Sequence, residues 1–292
     1  MRIAVFGSRH QDRYLNGIDI FFKTLIDFNI TFEIQEKFYN YLCRSLPTPP
    51  CPERVIPEDC NDFSADIAIS IGGDGTFLRT AKRISAKNIP IVGINTGHLG
   101  YLADNKIEEV KTVVNDLVNN QYKIECRSLL EVISSDENKP FAEPFALNEV
   151  AILRQDTSSI ISVETSVNDR YFTTYKGDGL IISTPTGSTA YNLSVGGPIL
   201  DPSSQNIVLS PISPHSLTMR PLVLRDDAVI HIKALSRAEM FNVSIDGRSN
   251  PLSIGTNITI RKAPFTIKVI QSLNHSFINT LRDKLMWGTD VR

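Results

Sequence analysis

Residues 66–71, Asp-Ile-Ala-Ile-Ser-Ile, run without a break into Gly72-Gly73-Asp74-Gly75-Thr76. A short apolar run bounded by glycines reads as a buried strand. Beyond the glycines, Phe77, Leu78, Ala81 and Ile84 recur at helical spacing. Strand, tight turn and helix in direct succession make one half of a parallel-sheet unit. The turn then lies at the carboxyl end of a strand, where open α/β sheets hold their ligands.

Strand and helix patterns alternate on both sides of this unit. Residues 3–7 are a first buried-strand run, too short to be a signal peptide. Ile18, Phe21, Phe22, Leu25 and Ile26 mark a helix over 16–27, and a short strand falls at 31–34. Residues 47–57 contain Pro47-Thr48-Pro49-Pro50-Cys51-Pro52, which cannot sit in a helix interior or a central strand. They read as a surface loop or a lid. A strand at 89–94 and a helix at 107–119 complete the series. The alternation predicts an α/β N-terminal domain with a Rossmann-like parallel sheet.

From Tyr122 to about Ile270 the pattern changes. Short β-rich runs fall at 123–126, 129–134, 145–153, 162–167, 180–183, 229–234, 242–245 and 257–262. Turn signals separate them, including Asn168-Asp169, Gly177-Asp178-Gly179 and Asp246-Gly247. They predict a mostly antiparallel all-β C-terminal domain. Helical spacing returns at 276–285, and that helix is expected to pack back on the first domain. The division is therefore 1–122 plus about 271–292 for the α/β domain and 123–270 for the β domain.

Bulk properties exclude several classes. The chain has 292 residues, 41% hydrophobic and 21% charged, with a formal net charge of −2. No global charge draws it to nucleic acid or an anionic membrane, so a phosphate site must be local. No run approaches the ~18 apolar residues of a membrane span. Cys43, Cys51, Cys60 and Cys126 form no CxxC pair and have no histidine cluster beside them, which argues against zinc. They read as reduced thiols of a cytoplasmic protein.

Glycines before a helix let backbone amides approach phosphate oxygens at the positive end of the helix. Residues 72–76 are neither a Walker A loop nor a GxGxxG fingerprint. Their distinguishing feature is the carboxylate of Asp74, which could take a proton from an attacking hydroxyl or hold a metal ion against phosphates. A second unusual segment is Lys176-Gly177-Asp178-Gly179-Leu180-Ile181-Ile182-Ser183-Thr184-Pro185-Thr186-Gly187-Ser188-Thr189-Ala190-Tyr191. It presents another carboxylate from tight backbone, then four hydroxyls and an aromatic ring suited to ribose, phosphate and base. His98 and His215 have no nucleophile beside them and read as loop residues.

Gly72-Gly73-Asp74-Gly75-Thr76 resembles the signature shared by NAD kinases, diacylglycerol kinases, sphingosine kinases and, in modified form, phosphofructokinases. The ordered string from Lys176 to Tyr191 narrows the resemblance to the NAD kinase family. Asn148-Glu149 is similar to that family's Asn-Glu pair. Residues 93–102 are similar to its Gly-Ile-Asn-x-Gly-x-Leu-Gly-Phe-Leu element, with Tyr101 in place of Phe. The likeness runs from about residue 66 to 246 and is weak in the first 60.

What this resemblance implies is transfer of the γ-phosphoryl group of ATP to the 2′-hydroxyl of the adenosine ribose of NAD. Asp74 would be the general base. Gly72, Gly73, Gly75 and Thr76 would bind phosphate, Gly75 would also contact NAD, and Arg79 would lie near the NAD phosphates. Asn148 and Glu149 would bind the adenosine part. Lys176 and Asp178 would line the same site, Asp178 toward nicotinamide. Thr189, Ala190, Tyr191, Asn192, Leu193 and Ser194 would wrap adenine and ribose. Ser213 aligns with a small residue near the substrate, and Arg248 falls where relatives often carry Gln or Asn. A divalent cation, magnesium by family habit, would bridge the donor phosphates, with no ligands assigned. The β-rich domain would bind NAD, and a homodimer or homotetramer is implied. Two rivals are a lipid kinase of the same superfamily and a non-catalytic NAD sensor.

Overall fold

The computed structural model describes residues 1–97, 100–136, 140–156 and 159–286. His98 and Leu99, which belong to the glycine-rich element at 93–102, lie outside the described residues. The chain forms two compact units, Met1–Cys126 with Ile267–Arg292, and Arg127–Thr266.

The first unit follows the strand–helix alternation. Its elements are β1 (Arg2–Gly7), α1 (Leu15–Asp27), β2 (Thr31–Gln35), α2 (Glu36–Ser45), β3 (Arg54–Ile56), β4 (Ile67–Ile71), α3 (Asp74–Ile84), β5 (Ile91–Asn95), β6 (Asn105–Lys106), α4 (Val110–Val118) and the start of β7 (Tyr122–Ser134). Five strands pair in parallel in the order β5-β4-β1-β2-β3. β4 and β5 are buried along their whole length, as strands covered on both faces must be. Ile18, Phe21, Phe22 and Leu25 of α1, Phe38 and Leu42 of α2, and Val110, Val114 and Leu117 pack on the sheet in one core. Each such buried side chain contributes about 1.5–3 kcal/mol of apolar transfer free energy.

Elements of the first unit depart from the sequence reading, α2 and β3 among them. α2 went unpredicted, because only Phe38 and Leu42 of its ten residues are buried. β3 falls inside the 47–57 stretch read wholly as loop; three residues pair with β2 at Glu33↔Arg54 to Gln35↔Ile56. Its prolines stay outside the paired segment, as the missing N–H requires.

The second unit contains β8 (Phe145–Ala146), β9 (Glu149–Arg154), β10 (Ile161–Val167), β11 (Arg170–Gly177), β12 (Gly179–Ser183), α5 (Tyr191–Ser194), β13 (Asn206–Ile212), β14 (Leu222–Arg225), β15 (Ile230–Leu235), β16 (Met240–Ile245) and β17 (Arg248–Ser253). β18 (Asn257–Ser272) begins in this unit and ends in the first. One sheet has the order β14-β13-β12-β9-β16-β17, and β11-β10-β15-β18 form another, all antiparallel. Alternate residues of β10 and β16 are buried, the period expected of half-buried strands. The buried sets of both sheets meet in one core.

The chain then returns to the first unit. Val269 of β18 pairs in parallel with Ile91 of β5, and α6 (Phe277–Leu285) follows. Among the described residues no helix is long and apolar enough to cross a membrane. The four cysteines are free.

Candidate active site

The sequence-predicted site residues are shared between the two units. In the first unit, the apolar side chains of β4 end at Gly72, and α3 starts at Asp74 with Gly73 as its N-cap. Gly73 and Gly75 are exposed at the head of this helix. Its positive end and free first-turn amides favour anions. Gly72 contributes differently from the expectation: its N–H donates to the Ile94 carbonyl at 2.9 Å, which joins the turn to β5 and leaves no amide for phosphate. Thr76 is also turned inward. It is buried, and its hydroxyl accepts from an Arg79 guanidinium nitrogen at 3.0 Å. Arg79 lines a cavity of about 140 Å³ with Gln35, Glu58, Thr80, Lys82 and Arg83. That is too small for a nucleotide, whose sites run to roughly 300–1,000 Å³.

Asp74 is held from a distant part of the chain. Its Oδ2 accepts from the Tyr101 N–H at 2.8 Å, and its Oδ1 from the Leu102 and Ala103 N–H groups at 3.0 and 3.1 Å. Gly100 makes this approach possible, because a Cβ there would overlap the Asp74 carboxylate. Lys284 of α6 places its ammonium 3.8 Å from the centre of the Tyr101 ring. Burial pulls the Lys284 amine down to about 8, although Asp74 and Asp104 draw it upward.

In the second unit, Asn148 and Glu149 sit where β8 gives way to β9, a break inside a run that the sequence suggested was continuous. Asp246, read only as part of an Asp-Gly turn, causes the break. Its carboxylate accepts from the N–H groups of Leu147 (2.8 Å), Asn148 (2.8 Å) and Glu149 (3.1 Å). Burial raises the Asp246 carboxyl above its ordinary value against these amides. Glu149 is 8% exposed. Burial first, and the charge of Asp246 second, push its carboxyl up to about 7, while the Tyr191 N–H opposes the shift. Glu149 Oε2 is buried with no partner among the described residues.

β12 is followed by the hydroxyl-rich turn. Thr184 donates its N–H to the Asn148 carbonyl at 2.9 Å and its hydroxyl to the Leu147 carbonyl at 2.6 Å. Gly187 lies so close to Asn148 that a Cβ would overlap the Asn148 carbonyl. The turn thereby brings Thr189, Ala190 and Tyr191 beside Asn148-Glu149. Tyr191 is 39% exposed, Ser194 is exposed and Leu193 half-buried. Asn192 behaves otherwise. It is fully buried, donates to the Ser188 and Pro198 carbonyls at 3.1 and 3.0 Å, and accepts from the Ser210 hydroxyl at 2.6 Å. Its side chain holds the loop from inside.

At the opposite end of β12, the Asp178 N–H donates to Ile212 and the His215 N–H donates to the Lys176 carbonyl, both at 2.9 Å. Lys176, Asp178 and the exposed Ser213 are thus neighbours. Arg154, which the sequence did not single out, binds the Asp178 carboxylate through Nε at 3.0 Å. Arg248, expected among the NAD-binding residues, has its side chain engaged by neighbouring protein groups. Its guanidinium pairs with Glu143 at 2.6 Å and donates to the carbonyls of Phe145 and Ile245 at 3.1 Å each. It ties β8 to the β16–β17 turn.

With this geometry in place, similarity to known proteins adds identity of class. Residues 26–122 match the ATP-NAD kinase N-terminal domain model, and residues 147–272 match the ATP-NAD kinase C-terminal domain model. The chain is 45% identical over 292 residues to an NAD kinase of Bacteroides fragilis, covering 100% of both chains. It is 43% identical over 291 residues to an NAD kinase of Porphyromonas gingivalis, covering 100% of this chain and 99% of the relative. The fold is similar to that of yeast NADH kinase complexed with NADH, with a TM-score of 0.89 at 22% identity, covering 100% of this chain and 89% of the other. It is also similar to an Archaeoglobus fulgidus NAD kinase in complex with ATP, with a TM-score of 0.75 at 24% identity and coverage of 98% and 99%.

Proposed function

The chain belongs to the NAD kinase family, and we propose that Asp74 is the base with which it phosphorylates NAD. It is a phosphotransferase that uses ATP as donor and forms NADP. The nucleophile in this reading is the 2′-hydroxyl of the adenosine ribose. Its proton passes to Asp74, its oxygen bonds to the γ-phosphorus, and the bond from that phosphorus to ADP breaks.

The observation that carries the assignment is how Asp74 is held. An ionised carboxylate has about four lone-pair directions. Among the described residues two amides approach Oδ1 and one approaches Oδ2, which leaves a direction on Oδ2 for a substrate hydroxyl. The amides at the head of α3, from Gly73 and Gly75, suit a phosphate group, and Arg79 is one helical turn away. In the second unit, the unpartnered Oε2 of Glu149 suits a donor on adenosine, with Asn148 beside it and Thr189, Ala190 and Tyr191 around the ring. Lys176, Asp178 and Ser213 form a separate polar group, which we assign to the nicotinamide half. In this division of labour residues 1–122 with about 271–292 handle phosphate, and residues 123–270 bind NAD.

A divalent cation belongs to this reading as part of the donor. Among the described residues no group of three or more His, Cys, Asp or Glu could hold a metal ion. The described side chains therefore offer no cluster for a resident metal, whereas magnesium commonly reaches kinases on the nucleotide phosphates with few protein ligands. Free, mostly exposed thiols suit a cytoplasmic setting. Tyr171 and Phe172, 65% and 46% exposed on the sheet-edge strand β11, suit a homodimer or homotetramer, which light scattering measures.

The test is NADP formation from NAD, ATP and magnesium by the wild type and by Asp74→Asn. Loss of a general base should lower kcat by about 10²–10⁴-fold with folding unchanged. Near wild-type turnover of the variant would remove Asp74 from this role.

A further inference from the structure

Among the described residues the amides that hold Asp74 come from Tyr101, Leu102 and Ala103. The orientation of the base carboxylate therefore depends on this loop. The C-terminal segment contacts both ends of it. Lys284 stands over the Tyr101 ring at 3.8 Å. His275 Nδ1 meets Asp104 Oδ2 at 2.8 Å, with both side chains mostly buried at 12% and 14% exposure. The His275 carbonyl in turn accepts from Lys123 at 3.2 Å. Within the loop, the Asn95 side chain donates to the Ala103 carbonyl at 3.1 Å, which fixes its middle to β5.

We infer that His275 and Lys284 are positioning residues for the phosphoryl transfer: they clamp Asp104 and Tyr101, and so aim the Asp74 carboxylate between them. The inference rests on Asp74 being the base. A cation over an aromatic face is held by the ring quadrupole, and the contact strengthens as water is excluded. Lys284 is half-buried, so its ammonium has lost part of its hydration. The charged groups facing it are the Asp74 and Asp104 carboxylates, and His275 faces it through Asp104. Neutralising Lys284 removes the attraction to the ring and to both carboxylates at once. The loop and the base then lose one of their holds, while the NAD-binding residues of the second unit are untouched.

The experiment compares wild type, Lys284→Met, Lys284→Arg and Asp74→Asn by steady-state kinetics across pH, with thermal unfolding alongside. Lys284→Met should lower kcat by about tenfold or more, in line with the cost of a misaimed group, and leave the KM for NAD unchanged. The wild-type kcat should fall as pH rises through the range where Lys284 loses its proton, about 8. Lys284→Arg keeps its charge at every accessible pH. It should restore kcat near neutrality and abolish that alkaline fall. Two results overturn the inference: a wild-type kcat for Lys284→Met, whatever its thermal stability, or an alkaline fall in Lys284→Arg that coincides with the wild type. The last applies even if the Met variant does not fold. If Asp74→Asn turns over normally, the reading of Asp74 fails instead, which separates the two.

Discussion

The Tyr101 N–H donates to Oδ2 of Asp74 at 2.8 Å across 27 positions of sequence. The glycine-rich turn after β4 thus presents the carboxylate, but a loop after β5 orients it. This division shapes how the enzyme should respond to substitution.

Gly100→Ala should cost activity more than stability. The added Cβ overlaps the Asp74 carboxylate, so either the side chain or the loop must move. A misplacement of ~1 Å at a reacting group can cost about 10²-fold in rate. Measuring kcat at matched thermal stability checks this, and a wild-type kcat would show that the aim of Asp74 is unimportant.

Asp246→Ala should destabilise the second unit. The Leu147, Asn148 and Glu149 amides lose their shared acceptor in a buried place. Leaving buried donors unpaired costs about 1–3 kcal/mol each, and partial relaxation puts the total near 3 kcal/mol. Denaturant unfolding reads the loss. A raised KM for NAD should accompany it, since Asn148 and Glu149 depend on those amides.

Glu149→Gln should change how stability depends on pH. The folded-state carboxyl is raised to about 7, above its usual ~4.3 in an unfolded chain. Between those values the native state binds more protons than the unfolded one, so wild-type stability falls as pH rises. Below pH 4 the contribution is fully present, and it is lost as pH passes 7. The Gln variant cannot ionise, so its unfolding midpoint should stay flatter between pH 5 and 8. An identical slope in both proteins would rule out titration of Glu149.

Arg248→Ala should leave the KM for NAD unaltered. Its guanidinium is engaged with Glu143, Phe145 and Ile245. The ion pair is about one-third exposed on each side, so its loss should cost no more than about 1 kcal/mol. A marked rise in KM would return Arg248 to the binding surface.

Local pattern made β4, its turn and α3 legible, because the apolar residues, the glycines and the helical spacing all lie within 66–84. α1 was legible for the same reason: four buried residues at helical spacing mark one face. α2 was not, since two buried residues give no periodicity. β3 exists only because β2 offers a partner. Asn192 and Arg248 sat inside or beside ligand-like motifs, and only the tertiary structure shows which protein groups their side chains engage.

Sequence alone determined the two kinds of architecture, the kinase class, and the presence of a carboxylate at the end of a parallel strand. These follow from residues adjacent in the chain, or from an ordered string of motifs. The tertiary structure decided which groups hold that carboxylate and which buried groups stand behind the Asn148-Glu149 pair. Tyr101, Lys284 and Asp246 acquire those tasks through hydrogen bonds and contacts across long stretches of chain. Nothing in local composition encodes such contacts, because they exist only once the sheets bring distant loops to the same place.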